Sequence, residues 1–364
     1  MSRPIRILQC IATNEPGGAE TVVRDLCRLF NSDCYHAMAI VAGGGWLAEQ
    51  LRDIRADYET FPYRPFLDLR FIRKLSGLIR ERGIDILHCH MSQMNLLGAL
   101  VGKLAGIPVI ATIHGRTNDF DSRKQAFAYR MVGRLCCRTV FVSDTLRSLF
   151  AQEVGVDGSR HRVIYNGVDL DRFGISRKSD PIGPARIAMV GSLIQVKDYN
   201  TMFDACVILK EEGLHFFVEI AGDGPERGTL SKRIEDSGLQ GYVKFTGFQS
   251  DVATFLKDCS MYVLSSRHEG FSISIIEAMA SYLPVIATRC GGPEEIVVNG
   301  RTGLLVPIGD PISLAAAVRF VIMNAEAGRC MGEEGRLRTE QLFSMEKMQD
   351  AYRSLYIETI GERL

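Results

Sequence analysis

Two carboxylates, Glu269 and Glu277, stand eight residues apart in a segment rich in glycine and short apolar runs, from Ser265 to Pro307. The run SISIIEAMASY predicts a helix with Ser272 at its N-cap and good helix formers after it. Glu269 would then lie in the loop that enters the helix, and Glu277 on the helix itself. A helix start offers N–H groups and the positive end of the helix dipole to a phosphate. The segment therefore predicts a site for a phosphate-bearing ligand rather than two solvated carboxylates.

Glycine pairs follow other predicted strands. Gly17 and Gly18 come after the first strand and open a helix that continues through Glu20, so the backbone can approach a ligand there. In the second half, Gly222 and Gly224 end a strand in the run GDGP. The spacing there is GxGxxxG rather than the GxGxxG of a dinucleotide-binding turn, which argues against NAD.

Three histidines, His88, His90 and His114, lie near the ends of two neighbouring predicted strands. The carboxyl ends of parallel strands form the edge at which a doubly wound sheet binds ligands. A strand-end histidine is also an ordinary structural residue. No HxxxH or HExxH spacing supports a metal site, so we expect none.

Short apolar runs alternate with longer amphipathic runs along the whole chain, a pattern typical of βα units and parallel sheets. The predicted strands are 5–11, 38–41, 84–88, 109–113, 139–142, 162–165, 186–190, 216–221, 242–246, 261–264 and 285–287. Besides the helix at Ser272, helices are predicted at 19–30, 71–82, 94–104, 125–136, 145–153, 200–212, 229–237, 252–257, 312–323 and 345–360.

The pattern stops and restarts once, which predicts two domains. The polar, glycine- and proline-containing stretch 169–184 is interpreted as a linker. It separates an N-terminal Rossmann-like domain, 1–168, from a C-terminal one, 185–344, and 345–364 is assigned to a final helix. A chain of 364 residues is long enough for each domain to bury its own core. The expected fold class is α/β, with two doubly wound domains facing a central cleft.

Composition excludes some classes of protein. With 46% apolar and 24% charged residues the chain is of the ordinary globular kind, and its zero net charge argues against a nucleic-acid binder. Residues 1–170 carry 22 Lys/Arg against 17 Asp/Glu, a surplus of +5, which the remainder balances. This basic first half is compatible with an acidic acceptor, with an anionic membrane surface, or with ordinary scatter.

The ten cysteines have no CxxC spacing, which favours free thiols in a reducing compartment over disulfides or a zinc site. The N-terminus lacks the apolar stretch of a secretory signal, and no run approaches the roughly 18 apolar residues that span a bilayer. We therefore expect a cytoplasmic protein. The basic amphipathic run 70–82 favours either a solvated face or peripheral contact with the inner membrane face.

The Ser265–Pro307 segment resembles the signature region of the retaining glycosyltransferases of family 4. The matching runs are EGF at 269–271, EAMA at 277–280, PVIA at 284–287 and the glycine pair at 291–292. The likeness extends from Gly17 to Pro307. It implies the B-type glycosyltransferase fold, GT-B, in which the last helix commonly crosses back to the first domain.

The resemblance also implies roles for individual residues. Lys197 would neutralise the leaving diphosphate, Glu269 would hold hydroxyls of the donor sugar, and His114 would approach that sugar, so these three are the predicted catalytic residues. Glu277 would hold the ribose hydroxyls. The other predicted donor-binding residues are Gly17, Gly18, Ser192, Gly222, Gly224, Gly270, Phe271 and Ser272, and His90 and Glu20 are assigned to the acceptor side.

Two positions depart from the family pattern. Ser192 stands where the family usually has arginine, so a planar fork that binds phosphate through two hydrogen bonds is missing. Arg267 and Arg289 are candidates to replace it. Tyr282 stands before Pro284 where the family often has glycine, and its ring would either narrow the donor pocket or only pack.

The implied reaction transfers a sugar from a UDP- or GDP-sugar to a hydroxyl of a carbohydrate or lipid-linked acceptor, with retention at the anomeric carbon. It would serve glycan, polysaccharide or glycolipid synthesis and need neither a metal nor another cofactor. Two alternatives stay open: an epimerase or other enzyme on the same fold, and a non-catalytic protein that binds nucleotide sugars. The substitution at Ser192 is the sequence feature that favours the non-catalytic alternative.

Overall fold

The alternation of strands and helices in the sequence becomes two parallel sheets with helices packed on them. The structure, a computed structural model, describes residues 3–62, 69–115, 123–154, 158–174 and 183–361; the side chains of 123–125 and residues 175–182 of the predicted linker lie outside the described part. The chain divides into a first unit, Met1–Asn166 with Met348–Leu364, and a second unit, Gly167–Lys347. The expected α/β class with two Rossmann-like domains is confirmed.

The first unit contains one sheet with mostly parallel strands in the order β2-β3-β1-β5-β6-β7-β8, and β4 also pairs with β3. Its core is formed by apolar side chains of the central strands and of the helices that cover them. The strands are β1 (Ile5–Ile11), β2 (Asn31–Ser32), β3 (Tyr35–Ala42), β4 (Asp57–Phe61), β5 (Ile86–His90), β6 (Val109–Ile113), β7 (Arg138–Phe141) and β8 (His161–Val163). The helices are α1 (Gly18–Leu29), α2 (Trp46–Asp53), α3 (Leu69–Arg82), α4 (Ser92–Ala105), α5 (Arg123–Leu135) and α6 (Asp144–Val154).

The second unit contains a six-stranded parallel sheet in the order β11-β10-β9-β12-β13-β14. Its strands are β9 (Ala185–Val190), β10 (Phe216–Ala221), β11 (Val243–Gly247), β12 (Met261–Leu264), β13 (Val285–Thr288) and β14 (Gly303–Val306). Its helices are α7 (Leu170–Phe173), α8 (Tyr199–Glu211), α9 (Arg227–Asp236), α10 (Val252–Lys257), α11 (Ile273–Ala280), α12 (Gly292–Ile296), α13 (Pro311–Met323) and α14 (Ala325–Leu342).

The last helix, α15 (Met345–Gly361), packs on the first unit. The Tyr356 side chain is completely buried there, and Gln349 donates a 2.9 Å hydrogen bond to the Leu29 carbonyl. Glu358 forms a 2.7 Å ion pair with Arg138. The C-terminus of the chain thus contributes side chains to the core of the first unit.

Strand β5 runs from Ile86 to His90, two residues later than the predicted 84–88. Asp85 precedes the strand, and its carboxylate forms a 2.7 Å ion pair with Arg3 and accepts a hydrogen bond from the Arg6 amide. At the other end, His90 is completely buried and continues the strand. His90 therefore belongs to the buried strand and not to the loop that follows it.

Two turns differ from the common use of proline and glycine. Proline often occupies the first position of a helix, but Pro225 precedes α9, which begins at Arg227. The Asn166–Gly167 pair is of a kind that often adopts a positive φ, but the φ of Gly167 is not positive. Glycine is required there by close approach: a Cβ would lie 2.8 Å from the Met345 Cα and 2.9 Å from the Ser344 carbonyl oxygen.

Tyr282 ends α11 in a left-handed conformation, with φ of 60°. Its amide bonds to the Met279 carbonyl and the Leu283 amide bonds to the Ala278 carbonyl, the two hydrogen bonds of a Schellman ending that usually contains glycine. The Tyr282 ring packs beneath the Arg336 guanidinium at 5.3 Å. The left-handed backbone conformation explains why glycine is usual at this position, and the Tyr282 ring packs against Arg336.

The strain at Tyr282 predicts that two variants with side chains of similar size at this position will differ in their free energy of unfolding. Tyr282→Val should be less stable than Tyr282→Asn by about 1–2 kcal/mol, because a β-branched residue tolerates the left-handed region poorly. Both changes remove the ring, so its packing cancels in the comparison. Urea denaturation measures the difference. The control is the same pair of substitutions at Tyr242, whose ring lies 5.8 Å from Lys210 and whose φ is not positive. There the valine variant should be no less stable than the asparagine variant. Equal stabilities of the two variants at position 282 would refute the strain.

Candidate active site

The strand order of the second unit defines where a ligand would bind. Strand β9 is the first strand of the second unit but lies between β10 and β12, so the later strands are added on both sides of it. In doubly wound sheets the crevice at the carboxyl ends of two such strands is the ligand site. The loops that follow β9 and β12 contain Lys197 and Glu269, respectively.

These two side chains meet at the crevice. Lys197 Nζ lies 2.6 Å from Glu269 Oε1, and the Ser266 hydroxyl donates to the same oxygen at 2.7 Å. The two charged side chains are 21% and 11% exposed. A phosphate ligand would find a cation here that is partly shielded from water, where charge interactions are stronger than at the surface.

The backbone of Glu269 is fixed by the glycine turn after β13. Its amide donates to the Cys290 carbonyl at 3.1 Å, and its carbonyl accepts from the Gly292 amide at 3.0 Å. A Cβ on Gly292 would lie 2.7 Å from both the Gly270 carbonyl oxygen and the Phe271 Cα. The glycine pair therefore allows two loops to pass in contact and hold the carboxylate.

The entry to α11 follows the predicted position with one difference. Ser272 is the N-cap residue, but its hydroxyl makes no capping hydrogen bond and instead contacts the Ser274 hydroxyl at 3.1 Å. Gly270 and Phe271 precede it in the loop, and Glu277 is half-buried on the helix. The predicted N-terminus of the helix is therefore correct, but the capping hydrogen bond expected of the Ser272 side chain is not formed.

The two predicted donor-site glycines after β10, Gly222 and Gly224, pack against the loop after β9. A Cβ on Gly222 would collide with the Gly191 carbonyl, and one on Gly224 would lie 2.6 Å from the Leu193 carbonyl oxygen. Gly222 and Gly224 thus support the segment that contains Ser192. The structure gives them a role in positioning that segment.

Two tyrosines beneath the site were missed by the sequence reasoning. The Tyr199 hydroxyl donates to the Gly191 carbonyl at 2.9 Å, and the Tyr262 hydroxyl donates to Ser274 at 2.7 Å. Burial raises the pKa of both phenols, and the nearby Glu269 charge adds to the effect. Tyr262 lies within an apolar run and Tyr199 within a polar one, and neither belongs to a recognisable motif, so the sequence offered no signal beyond their position beside the loops.

Arg267 and Arg289 are the candidates to replace the arginine that is missing at position 192. Ser192 is exposed, so a larger side chain has room there. The Arg267 guanidinium lies 3.0 Å from Asp198, which engages it in an ion pair. Arg289 has an exposed side chain. Lys197 remains the cation that contacts Glu269 in this structure.

In the first unit, Gly17 is the N-cap of α1 and Gly18 its first residue, one position before the predicted start at residue 19. The Glu20 carboxylate folds back against Gly17, and the side chain is almost fully buried. Burial raises the pKa of Glu20, while a hydrogen bond from Thr13 opposes the rise. Keeping the ionised Glu20 carboxylate buried at the start of the helix therefore costs the folded state desolvation free energy.

The raised pKa predicts that Glu20→Gln stabilises the protein at neutral and alkaline pH. The folded state keeps the Glu20 proton to higher pH than the unfolded chain does, so the penalty is absent below about pH 4 and complete above the folded pKa. Unfolding midpoints at acidic and neutral pH measure the change. Glu49→Gln, at an exposed glutamate in the first turn of α2, is the control and should change little. A stabilisation independent of pH would contradict the assignment.

The three histidines come together at the carboxyl ends of β5 and β6. His90 Nδ1 lies 2.9 Å from His114 Nε2, and His88 Nε2 lies 2.7 Å from the Thr112 hydroxyl. Burial lowers the pKa of His88 and of His114 to about 3, and that of His90 well below its usual value. The imidazoles are therefore neutral at physiological pH. His114, at the end of this cluster, is partly exposed.

Within the described residues, no group of three His, Cys, Asp or Glu side chains is arranged to hold a metal ion. In the same part of the chain, none of the helices combines the length and apolar character required to cross a membrane. All ten cysteines are free thiols.

Family models match both halves of the chain. The model described as "Glycosyl transferases group 1" matches residues 174–338, and the model described as "Glycosyltransferase Family 4" matches residues 16–172. Together with the two Rossmann-like units, these matches define a glycosyltransferase of the GT-B fold. The chain belongs to the group 1 glycosyltransferases, as the motifs indicated.

Individual proteins are similar over most of their length. The lipopolysaccharide core biosynthesis glycosyltransferase LpsE of Rhizobium meliloti is 30% identical over 244 residues, 66% of this chain and 68% of its own. The UDP-Gal:alpha-D-GlcNAc-diphosphoundecaprenol alpha-1,3-galactosyltransferase of Escherichia coli is 28% identical over 317 residues, 80% of each chain. Anabaena HepE, in complex with UDP-glucose, matches with a TM-score of 0.89 at 22% identity, over 97% of this chain and all of its own.

Proposed function

We propose that the protein is a retaining glycosyltransferase that moves a sugar from a nucleoside diphosphate sugar to a hydroxyl acceptor. The observation that carries the proposal is the contact between Lys197 and Glu269 at the switch point of the second sheet. A cation and a carboxylate side by side suit a ligand that has both a diphosphate and sugar hydroxyls.

The difficult step in such a transfer is departure of the diphosphate from a sugar that develops positive charge. A fixed cation and oriented N–H groups stabilise the charge of the leaving group in the transition state. We assign this task to Lys197 and to the N-terminus of α11, after Gly270 and Phe271. Glu269, released from Lys197 as the phosphate takes its place, would accept hydrogen bonds from hydroxyls of the donor sugar. Glu277 would hold the ribose.

In the first unit, we propose that neutral His114 forms a hydrogen bond with a hydroxyl of the substrate sugar. Its low pKa supports this role, because a neutral imidazole has a lone pair that can accept. Gly17 and Gly18 would present backbone N–H groups to a phosphate at the start of α1. Glu20 and His90 are assigned to the acceptor side.

The related proteins favour a uridine nucleotide and a lipid-linked acceptor. The Escherichia coli relative is named for UDP-galactose and a diphosphoundecaprenol acceptor, and the HepE structure contains UDP-glucose. We therefore propose a UDP-sugar donor and a sugar acceptor on a lipid diphosphate, in polysaccharide or glycolipid synthesis. The reaction would take place in the cytoplasm, with the basic first unit in peripheral contact with the inner membrane face, and would need no metal.

The test incubates the full chain with a panel of α-linked UDP- and GDP-sugars and a synthetic GlcNAc-diphosphoryl lipid. ³¹P NMR follows release of the nucleoside diphosphate, and ¹H NMR of the product identifies the new linkage. We expect release from a UDP-sugar together with an α-linked product. A β-linked product would refute retention. Conversion of one sugar nucleotide into another without release would favour the epimerase alternative.

A further inference from the structure

A continuous chain of hydrogen bonds runs from α15 to His114 through the first unit. The Tyr356 hydroxyl accepts from Gln9 Nε2 at 3.2 Å, and Gln9 Oε1 lies 2.8 Å from His90 Nε2. His90 Nδ1 lies 2.9 Å from His114 Nε2. Residues of β1, β5 and α15, which are far apart in sequence, thus connect to His114, the member of this hydrogen-bonded path whose ring is partly exposed.

A branch of this chain passes through His88. The Tyr356 hydroxyl lies 2.9 Å from His88 Nδ1, and His88 Nε2 lies 2.7 Å from the Thr112 hydroxyl. Gln9, His88, Thr112 and Tyr356 all have no exposed surface. A buried polar group without a hydrogen-bond partner is costly, so these polar groups depend on one another.

Every member of the chain is uncharged at physiological pH. Burial lowers the pKa of His88, His90 and His114, and burial raises the pKa of the Tyr356 phenol. A neutral imidazole has one N–H donor and one acceptor nitrogen. The direction of each hydrogen bond therefore fixes the direction of the next.

The direction starts at Gln9. Its Oε1 atom can only accept, so His90 must donate from Nε2 and must accept at Nδ1. His114 Nε2, which faces that Nδ1, must then carry the proton. Nδ1 of His114 is left as the acceptor of the ring.

We propose that Gln9 and Tyr356 are positioning residues that set the tautomer of His114, so that its Nδ1 is available to accept a hydrogen bond from a substrate hydroxyl. The inference deepens the proposed function and rests on the role assigned there to His114. In an imidazole, the partner of one ring nitrogen decides which nitrogen carries the proton. The partner of the His114 ring is His90. The Gln9 amide fixes which nitrogen of His90 carries the proton, and the Tyr356 hydroxyl orients that amide.

The same helix provides a matched control. Tyr352 lies one turn before Tyr356, is also buried, and packs its ring 5.5 Å from the His88 ring. Its hydroxyl interacts with Thr112, which ends the branch through His88, and it lies outside the path from Tyr356 through Gln9 and His90 to His114. Tyr352→Phe and Tyr356→Phe therefore remove the same atom from similar surroundings, but only the second interrupts the chain.

The test is ¹⁵N NMR of histidine-labelled full chain, with the His114 signals assigned by their loss in His114→Asn. We expect His114 as the Nε2–H tautomer, neutral from about pH 5.5 to 8.5, in the wild type and in Tyr352→Phe. In Gln9→Leu and in Tyr356→Phe, we expect the Nδ1–H tautomer to appear. The inference is overturned if the wild type already shows Nδ1–H, or if both variants keep the wild-type tautomer. Thermal unfolding of each variant verifies that it is folded.

Kinetics supply the second readout. For Gln9→Leu and Tyr356→Phe we expect kcat to fall about 10- to 100-fold with KM for the UDP-sugar nearly unchanged, and Tyr352→Phe to match the wild type. The NMR result needs no substrate, so it separates two failures. If the tautomers change as expected but kcat does not, the assigned role of His114 is wrong, and the tautomer assignment stands. If Tyr356→Phe matches Tyr352→Phe in both readouts, the inference is wrong.

Discussion

Replacing Lys197 by methionine should lower kcat about 10²- to 10³-fold, the usual effect of removing one group that stabilises developing charge. Methionine keeps most of the length and apolar volume of lysine but cannot neutralise a leaving diphosphate. Donor affinity should also fall, because the phosphate loses the cation that meets it in the crevice. Release of UDP, followed by ³¹P NMR, measures the effect. Lys210→Met is the control: Lys210 is on α8 of the same unit and bonds to the Gly238 carbonyl.

Stability measurements separate this catalytic role from an effect on folding. Lys197→Met leaves the Glu269 carboxylate, 11% exposed, without the cation that lies 2.6 Å away, so the single variant should be less stable than the wild type. The double variant Lys197→Met with Glu269→Gln removes the uncompensated charge and should recover much of the loss. Its activity should remain low. If the double variant recovered both stability and activity, the role of Lys197 would be structural only.

Restoring the arginine of the family pattern, in Ser192→Arg, should tighten UDP binding about tenfold or more. A guanidinium can bind a phosphate through two parallel hydrogen bonds, and tenfold corresponds to about 1.4 kcal/mol. Ser192 is exposed at the start of the loop that leads to Lys197, so the longer side chain has room. Calorimetric titration of the full chain with UDP measures the change.

The control for Ser192→Arg is Gln195→Arg, which adds the same charge to an exposed position in the same loop. If the gain came only from added positive charge, both variants would bind UDP equally more tightly. We expect the gain at position 192 to be clearly the larger. An unchanged or weaker affinity in Ser192→Arg would mean that the phosphate does not lie near this loop, and the assignment of Ser192 to the donor site would fail.

The part of the site that sequence could predict is the part encoded in contiguous motifs. Glu269, the entry to α11 and the Gly291–Gly292 turn lie within one short segment of the chain, and the two loops are neighbours because the strands that precede them, β12 and β13, pair in the sheet. The contact between Lys197 and Glu269 is harder to infer from the sequence, because it depends on β9 and β12 being adjacent in the sheet. That adjacency follows from a doubly wound strand order.

The histidine network could not be predicted in the same way. His88 and Tyr356 are 268 residues apart, and nothing in the local pattern of α15 indicates which strand ends it covers. The sequence marked His90 and His114 as strand-end residues but gave no sign of Gln9, an isolated polar residue inside an apolar strand. Such a residue becomes informative only when its buried partners are known.

Helix α14 was missed for a different reason. Its run AEAGRCMGEEGRLRTEQL contains three glycines, which are normally poor helix formers. In the structure Gly328, Gly332 and Gly335 are buried on one face, and Gly332 approaches the Tyr282 carbonyl so closely that a side chain would collide. Gly332 and Gly335 permit close packing against the end of α11, and Gly328 lies against Val321 of α13. Tertiary contact therefore outweighs intrinsic propensity at these positions.

The most direct test of the central claim, that the crevice of the second unit binds the diphosphate of a nucleotide sugar through Lys197, is thermal unfolding of the wild type and Lys197→Met with UDP, GDP and ADP in turn. A ligand at about 100 times its dissociation constant stabilises the folded state by roughly 2.7 kcal/mol. We predict that UDP raises the wild-type midpoint and that Lys197→Met loses most of this shift. A wild type that responds to none of the three nucleotides, or a variant that responds as fully as the wild type, would contradict the claim.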